Sequence, residues 1–421
     1  MDAFYTIPTL DISRDTFRRT VVDRESGLYL GHPTTVLLED GKTILAVYPK
    51  NHGNGQIVLK KSTDGGVSWS ERLPVPDSWS TSLEVPTIYR TEDSSGKKRL
   101  IMFSGLYPIR LSVSEDDGES WSELEKIGDY GGIVAMGDIE PTGNGSYIAV
   151  FHDDGRFIHG GTDTLMEIWR TSSGADARTK AVYRKMFFGG KRLGPPMPNW
   201  IKTLEKPGDV WEKIYTSPRG RVRRDGRFEI YLTQSADGGV TWGEPRAICS
   251  HTGGAKLCEP TIIRSPDGKQ LCIIMREESR NFNSFMITSD DEGKTWSEPV
   301  ELPAALSGDR HTSKYLKDGR LFISFRDMTR ETPTKGDWVG WIGTYDDIIN
   351  GREGQYRIRL MKNYRSPNGG KWDCAYPGVE VLPDGTVVTT TYGHFTEGEE
   401  AYIVCVRFHP DELAGMDTLE K

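Results

Sequence analysis

Residues able to do acid–base and ion-pair chemistry recur at fixed distances from the Asp-Gly or Asn-Gly turns of this chain. Eight residues before the turn lie His32, Glu259, Arg310 and Tyr376, with Met136 at the matching place in a fifth segment. About eight after it lie Tyr48, His152, Arg276, Arg326 and Tyr392. Across an antiparallel hairpin the two sets face each other at the end away from the turn. Guanidiniums meeting there would grip a carboxylate in forked geometry. A phenol beside an ionised Glu can act as a nucleophile, because the carboxylate takes its proton. A further acid must then protonate the leaving oxygen. The expected catalytic set is Tyr376, Glu259, His32 and His52, with His32 and His52 as alternative acids. The expected substrate-binding set is Arg276, Arg326, Arg310, His311, Lys50 and Tyr392. His152 is a rim candidate without a role, and Asp153 and Asp154 are either acids reaching the mouth or turn residues.

Hairpins must position these groups, and the sequence supplies six. They run over 33–48, 85–105, 136–152, 259–276, 310–326 and 375–392, each a pair of apolar runs around a turn signal. Four copies of Ser-x-Asp-x-Gly-x-x-Trp stand between them, at Ser62–Trp69, Ser114–Trp121, Ser235–Trp242 and Ser289–Trp296. In each, Ser and Asp can bond nearby backbone and Gly supplies a left-handed position. Gly343–Asp347 reads as an eroded fifth copy. Six hairpins, most with an outer pair of strands, predict an all-β chain folded as one six-bladed β-propeller over 1–421. Residues 156–227 interrupt the rhythm inside the third blade with 16 Lys/Arg against 7 Asp/Glu. That balance predicts a solvated insertion, or a flap or subunit contact bringing positive charge to an anionic substrate.

The four boxes resemble the Asp-box of the sialidase superfamily, whose members are six-bladed propellers with BNR repeats. The resemblance covers about residues 25–408 and makes the boxes structural, on the face away from the active site. It implies an arginine triad for a sugar carboxylate, a Tyr–Glu pair forming a covalent intermediate, and an Asp on a first-blade loop as general acid. CEPTIIRSPDGKQLCIIMRE is similar to the segment holding the family's Glu and second Arg, which carries those roles to Glu259 and Arg276. CAYPGVEVLPDG is similar to the nucleophile segment, which carries that role to Tyr376. The chain departs from the pattern elsewhere. Gly31-His32-Pro33 stands where the family opens with Arg-Ile-Pro, the loop from Lys50 to Gly55 has no Asp, and Gly336–Val339 lacks the third Arg. The resemblance implies an exo-acting glycoside hydrolase releasing sialic acid or a related acidic sugar from a glycan. The alternatives are a polysaccharide lyase or His-dependent glycosidase acting on uronate-containing oligosaccharides, and a non-catalytic carbohydrate-binding propeller.

The remaining features set bounds. A net charge of −8 gives no general affinity for nucleic acid. No run reaches the roughly 18 apolar residues of a membrane span, and the first residues lack a leader pattern. The expectation is a soluble chain, exported if a leader has been removed and cytoplasmic otherwise, with a homo-oligomer possible. Five cysteines without a CxxC spacing predict small buried side chains rather than zinc or a disulfide framework. No HExxH or phosphate loop occurs, so neither metal nor cofactor is expected.

Overall fold

The computed structural model describes residues 5–155, 157–158, 228–250, 254–367, 370–413, 415–416 and 418–419. The basic segment 156–227 lies outside these residues, apart from Phe157 and Ile158.

Every predicted hairpin forms the inner half of its own sheet, and the six sheets make six blades. Blade one is Thr34–Leu37, Ile44–Pro49 and Ile57–Ser62; blade two begins with Pro86–Glu92 and Lys98–Ser104. Blade three begins with Ile133–Gly143 and Ser146–Asp153, and blade four with Leu257–Arg264 and Leu271–Glu277. Blade five begins with Gly308–Tyr315 and Leu321–Asp327, and blade six with Gly378–Val381 and Val387–Gly393. The ring closes through the N-terminal segment. Arg19–Asp23 pairs antiparallel with Tyr402–Phe408 as the outer strand of blade six, and Thr9–Asp11 pairs in parallel with Tyr356–Met361 of blade five.

Burial explains why the strands read as nearly continuous apolar runs. Both faces of each blade pack on neighbours, so all of Ile44–Pro49 is buried. Six separate apolar clusters result, each between two adjacent blades. All five cysteines sit buried as free thiols. No helix among the described residues is long and apolar enough to cross a membrane.

The four boxes lock neighbouring blades together. In each, the Ser hydroxyl donates to the Asp carboxylate at 2.8 Å and accepts the Gly N–H at 2.8–2.9 Å. At Gly118, φ is +87° and an added Cβ would stand 2.4 Å from Leu45 of blade one. Glycine is needed there both for the left-handed backbone and for the close approach of the blades. Gly343–Asp347 is not a fifth box. Thr344 caps the short helix Tyr345–Ile349, its side chain accepting the Asp347 N–H while the Asp347 carboxylate accepts the Thr344 N–H.

Candidate functional site

The inner strands of the blades enter the mouth of the ring through a repeated device. His32, Val134, Glu259, Arg310 and Ala375 all have φ between 49° and 58°, uncommon for residues with a Cβ. In blades four and five the device is a bulge, with register lost between Cys258 and Thr261 and between Asp309 and Thr312. Strain of this kind costs on the order of 1–3 kcal/mol per residue and gathers where side chains must be aimed.

In blades four and six the aim produces one tight group. Tyr376 donates its phenol hydrogen to Glu259 Oε1, and Arg276 Nη1 touches both, at 2.8 Å from Glu259 Oε1 and 3.2 Å from the Tyr376 oxygen. His152 Nδ1 accepts the Glu259 N–H at 3.3 Å, which fixes the backbone beneath the carboxylate. Burial alone would raise the Glu259 pKa, yet the Arg276 charge and the Tyr376 hydrogen bond outweigh it and hold the value below the ordinary carboxylate range. The Tyr376 phenol is pushed well above its ordinary value, by burial first and then by the Glu259 charge. The resting pair is therefore a neutral phenol bonded to an ionised carboxylate.

A second network lies beside it and contains two residues that the sequence did not single out, Asp373 and Tyr29. Tyr29 and Tyr392 donate to the two oxygens of Asp373, each at 2.7 Å, and His52 Nε2 stands 3.5 Å from Asp373 Oδ2. His32 Nδ1 accepts the Gly53 N–H at 3.1 Å, so the proton of the neutral ring is on Nε2, facing the Tyr392 oxygen at 3.1 Å. The His32 ring packs edge-on against both His52 and Tyr376, with centroids 4.7 and 4.5 Å away. The two networks thus share one mouth.

These contacts separate the two candidate acids. Burial, helped by His52 and Arg326 and opposed by Asp373, holds His32 well below the ordinary imidazole value. The buried His32 ring is thereby held neutral. For His52, partial burial pulls the value down, but Asp373 and the nearby Glu84 carboxylate outweigh it and the pKa is raised. His52 is also exposed at the rim, so it can both hold a proton and reach a ligand.

Two expected substrate-binding residues fall elsewhere. Arg310 turns away from the group and donates to the carbonyls of Pro260 and Gly137, at 3.3 and 2.6 Å. Buried His311 bonds the Leu306 carbonyl at 2.9 Å and packs on Phe325. The equivalent bulge after Cys258 leaves Glu259 at the site, so register does not separate the two; Arg310 is held off by the carbonyls it bonds. Lys50 directly follows the second strand of blade one, half-buried, its N–H bonded to the Gln56 carbonyl at 2.9 Å. Tyr48 and Met136 are not at the mouth either; Tyr48 donates to Asp23, and Met136 joins the core between blades two and three. Buried Asp153 accepts the N–H groups of Phe157 and Ile158 in a turn. Asp154 is buried next to it.

Arg276 and Arg326 do lie at the site, and a residue missed from sequence joins them. Asp309, fully buried, faces Arg276 Nε at 3.0 Å, takes Arg326 Nε at 2.9 Å and Nη2 at 2.5 Å, and accepts both outer nitrogens of Arg280. Its position immediately before Arg310 was visible in the sequence, but the count from the turn passes over it.

His32, His52 and Asp373 bring possible ligand atoms within 4.8 Å of one another. They do not suit a cation well. Both Asp373 oxygens already receive phenol hydrogens, Arg326 Nη1 adds its charge at 3.4 Å, and one His32 nitrogen is bound to an amide.

Residues 212–393 match the family model described as a BNR repeat-like domain. No curated protein matches the chain. Among solved structures, the chain resembles a protein of unknown function from Dyadobacter fermentans at 14% identity and TM-score 0.61, with 93% of this chain and 97% of that one covered. It also resembles the α-L-arabinofuranosidase Arb93A from Fusarium graminearum, at 10% identity and TM-score 0.56, covering 94% and 99%. A third is the Hadza microbial sialidase Hz136, at 14% identity and TM-score 0.51, covering 91% and 66%. At these identities the likeness is one of fold, shared with glycoside hydrolases. Residues 212–393 thus carry a BNR repeat-like domain, and the chain folds as a ring of six blades with four boxes.

Proposed function

We propose that this protein is a retaining exo-glycosidase whose nucleophile is Tyr376. The observation that carries the proposal is the Tyr376–Glu259–Arg276 group, a neutral phenol bonded to a carboxylate that a guanidinium keeps ionised. As the Tyr376 oxygen attacks the anomeric carbon, its proton passes to Glu259 Oε1, and Arg276 Nη1 faces the charge that develops on both oxygens. His52 gives its proton to the leaving glycosidic oxygen. It then takes one from the water that attacks the glycosyl-tyrosine, and Glu259 returns its proton to the phenol oxygen. A lyase would use the same His and Tyr without a covalent intermediate, and the dedicated carboxylate on Tyr376 favours the hydrolase. The product's anomeric configuration, followed by proton NMR on a glycoside panel, tests this. Retention is expected, and inversion or an unsaturated product contradicts it.

The role of His52 has its own test. Its raised pKa keeps the imidazolium populated above pH ~6.5, the ordinary imidazole value. Activity is therefore expected to fall as pH rises through that raised value. Asp373→Asn removes the charge that raises it, and the alkaline limb should move to lower pH. His52→Gln is expected to lower kcat by about 10²–10⁴ on unactivated glycosides. On aryl glycosides with good leaving groups, which need little protonation, the loss should be far smaller. Equal losses on both would remove His52 from the acid role.

An acidic terminal sugar, as expected from sequence, would need guanidinium N–H groups turned into the cleft. Those of Arg276 and Arg326 face protein oxygens.

A further inference from the structure

We propose that Asp309 is a built-in carboxylate filling the arginine fork, and that the cleft therefore takes a neutral glycosyl group rather than one bearing a carboxylate. The inference rests on the Tyr376–Glu259 reading for the position of the reacting sugar. It assigns the substrate class from how the guanidiniums beside that pair are engaged.

Each nitrogen of Arg276 stands against a protein oxygen, Nε as an ion pair without a hydrogen bond. Nη1 faces Glu259 and Tyr376, Nη2 is paired with Glu278, and Nε faces Asp309. Arg326 is likewise committed, with Nε and Nη2 on Asp309 and Nη1 shared between the Trp372 carbonyl and Asp373. Arg280 meets Asp309 through both outer nitrogens, at 2.5 and 2.8 Å, the forked geometry a ligand carboxylate would take. Oδ1 of Asp309 serves Arg276 and Arg280, and Oδ2 serves Arg280 and Arg326. No part of the Asp309 side chain is exposed, so a ligand cannot displace it by competition from solvent.

Charge leads to the same conclusion. Three guanidiniums, Arg276, Arg280 and Arg326, face four carboxylates, Glu259, Glu278, Asp309 and Asp373. With His52 protonated the group is balanced, and with His52 neutral it carries one excess negative charge. Among the described residues of this group, a sugar carboxylate would meet carboxylates and guanidiniums already paired with them, which disfavours it by repulsion and by loss of its hydration. A neutral sugar has hydroxyls that can donate to Glu259, Glu278 and Asp373 and meets no such penalty.

The test is ligand binding read by thermal shift and calorimetry, which needs no turnover. Wild-type protein is titrated with matched neutral and carboxylated sugars: glucose with glucuronate, galactose with galacturonate, and N-acetylneuraminate. The same ligands are added to Asp309→Gly, with formate and acetate as small carboxylates able to enter the vacated space. For wild type, no acid is expected to bind more tightly than its neutral partner. For Asp309→Gly, formate or acetate should raise the melting temperature where chloride does not. An open fork would favour the acid by roughly 10- to 100-fold, the worth of a hydrogen bond to a charged group. That preference in wild type overturns the proposal, as does an Asp309→Gly protein that ignores small carboxylates. If the variant does not fold, the wild-type comparison still decides. Failure here leaves the Tyr376 nucleophile standing, whereas an inverted product removes the nucleophile without touching this binding result.

Discussion

Tyr376→Phe is expected to lower kcat on the order of 10³-fold or more, with substrate binding largely kept. The substitution removes one oxygen and keeps the ring that packs edge-on against His32. Glu259 loses its phenol partner but retains Arg276 at 2.8 Å, so its charge stays compensated. The structural cost should be about 1–3 kcal/mol, the scale of one lost hydrogen bond at a buried acceptor. A propeller held by six inter-blade clusters should still fold. The readout is therefore kcat beside an unchanged circular dichroism spectrum. The two outcomes divide an enzyme that uses the phenol from a binding module. A dead, folded variant with near-normal affinity means that the phenol oxygen acts in the transition state. A variant with normal turnover means that it only helps to line the cleft.

Asp309→Asn is expected to cost about 3–5 kcal/mol of stability, the scale seen when one partner of a buried ion pair is removed. The amide keeps the shape and loses the charge that offsets Arg276, Arg280 and Arg326. The effect should be nearly constant across neutral pH, and the sign follows from linkage. Burial alone would raise the Asp309 pKa, but the guanidiniums hold it far below the ordinary value. A lowered folded-state pKa gives stability that is fully present above the unfolded-state value of about 3.9. It is lost only as pH falls through the lowered one. Urea unfolding of wild type and variant between about pH 5 and 8 should therefore show a parallel offset. An offset that disappears within that range would mean that Asp309 is not ionised in the folded protein.

The periodic features were legible because they repeat with fixed spacing. Each hairpin carries its own turn signal, and each box needs Ser, Asp, Gly and Trp at set places, so the blades could be counted from the residues alone. The N-terminal strands were not legible. Arg19–Asp23 has only Val22 buried, Phe17 just before it is 79% exposed, and such short edge strands lack an alternating pattern. At the site, Glu259, Arg276, Tyr376 and Tyr392 stood where counting from the turns placed them. Arg310 and His311 did not, although blade five carries the same bulge as blade four: Arg310 bonds the Pro260 and Gly137 carbonyls and His311 the Leu306 carbonyl, partners that counting along one hairpin does not show. Asp309 was hidden because the count from the turn passes to its neighbour Arg310. Asp373 was hidden differently: it lies before the inner strand of blade six, in a stretch with no regular pattern to count along.

The most direct test of the Tyr376 nucleophile is intact-protein and peptide mass spectrometry after incubation with a fluorinated glycosyl fluoride that forms a covalent intermediate faster than it loses it. The account predicts the added mass of one glycosyl group, on the peptide containing Tyr376, in wild type and none in Tyr376→Phe. A glycosyl group found on Glu259 or any other side chain, or no adduct while the substrate is being turned over, would contradict it.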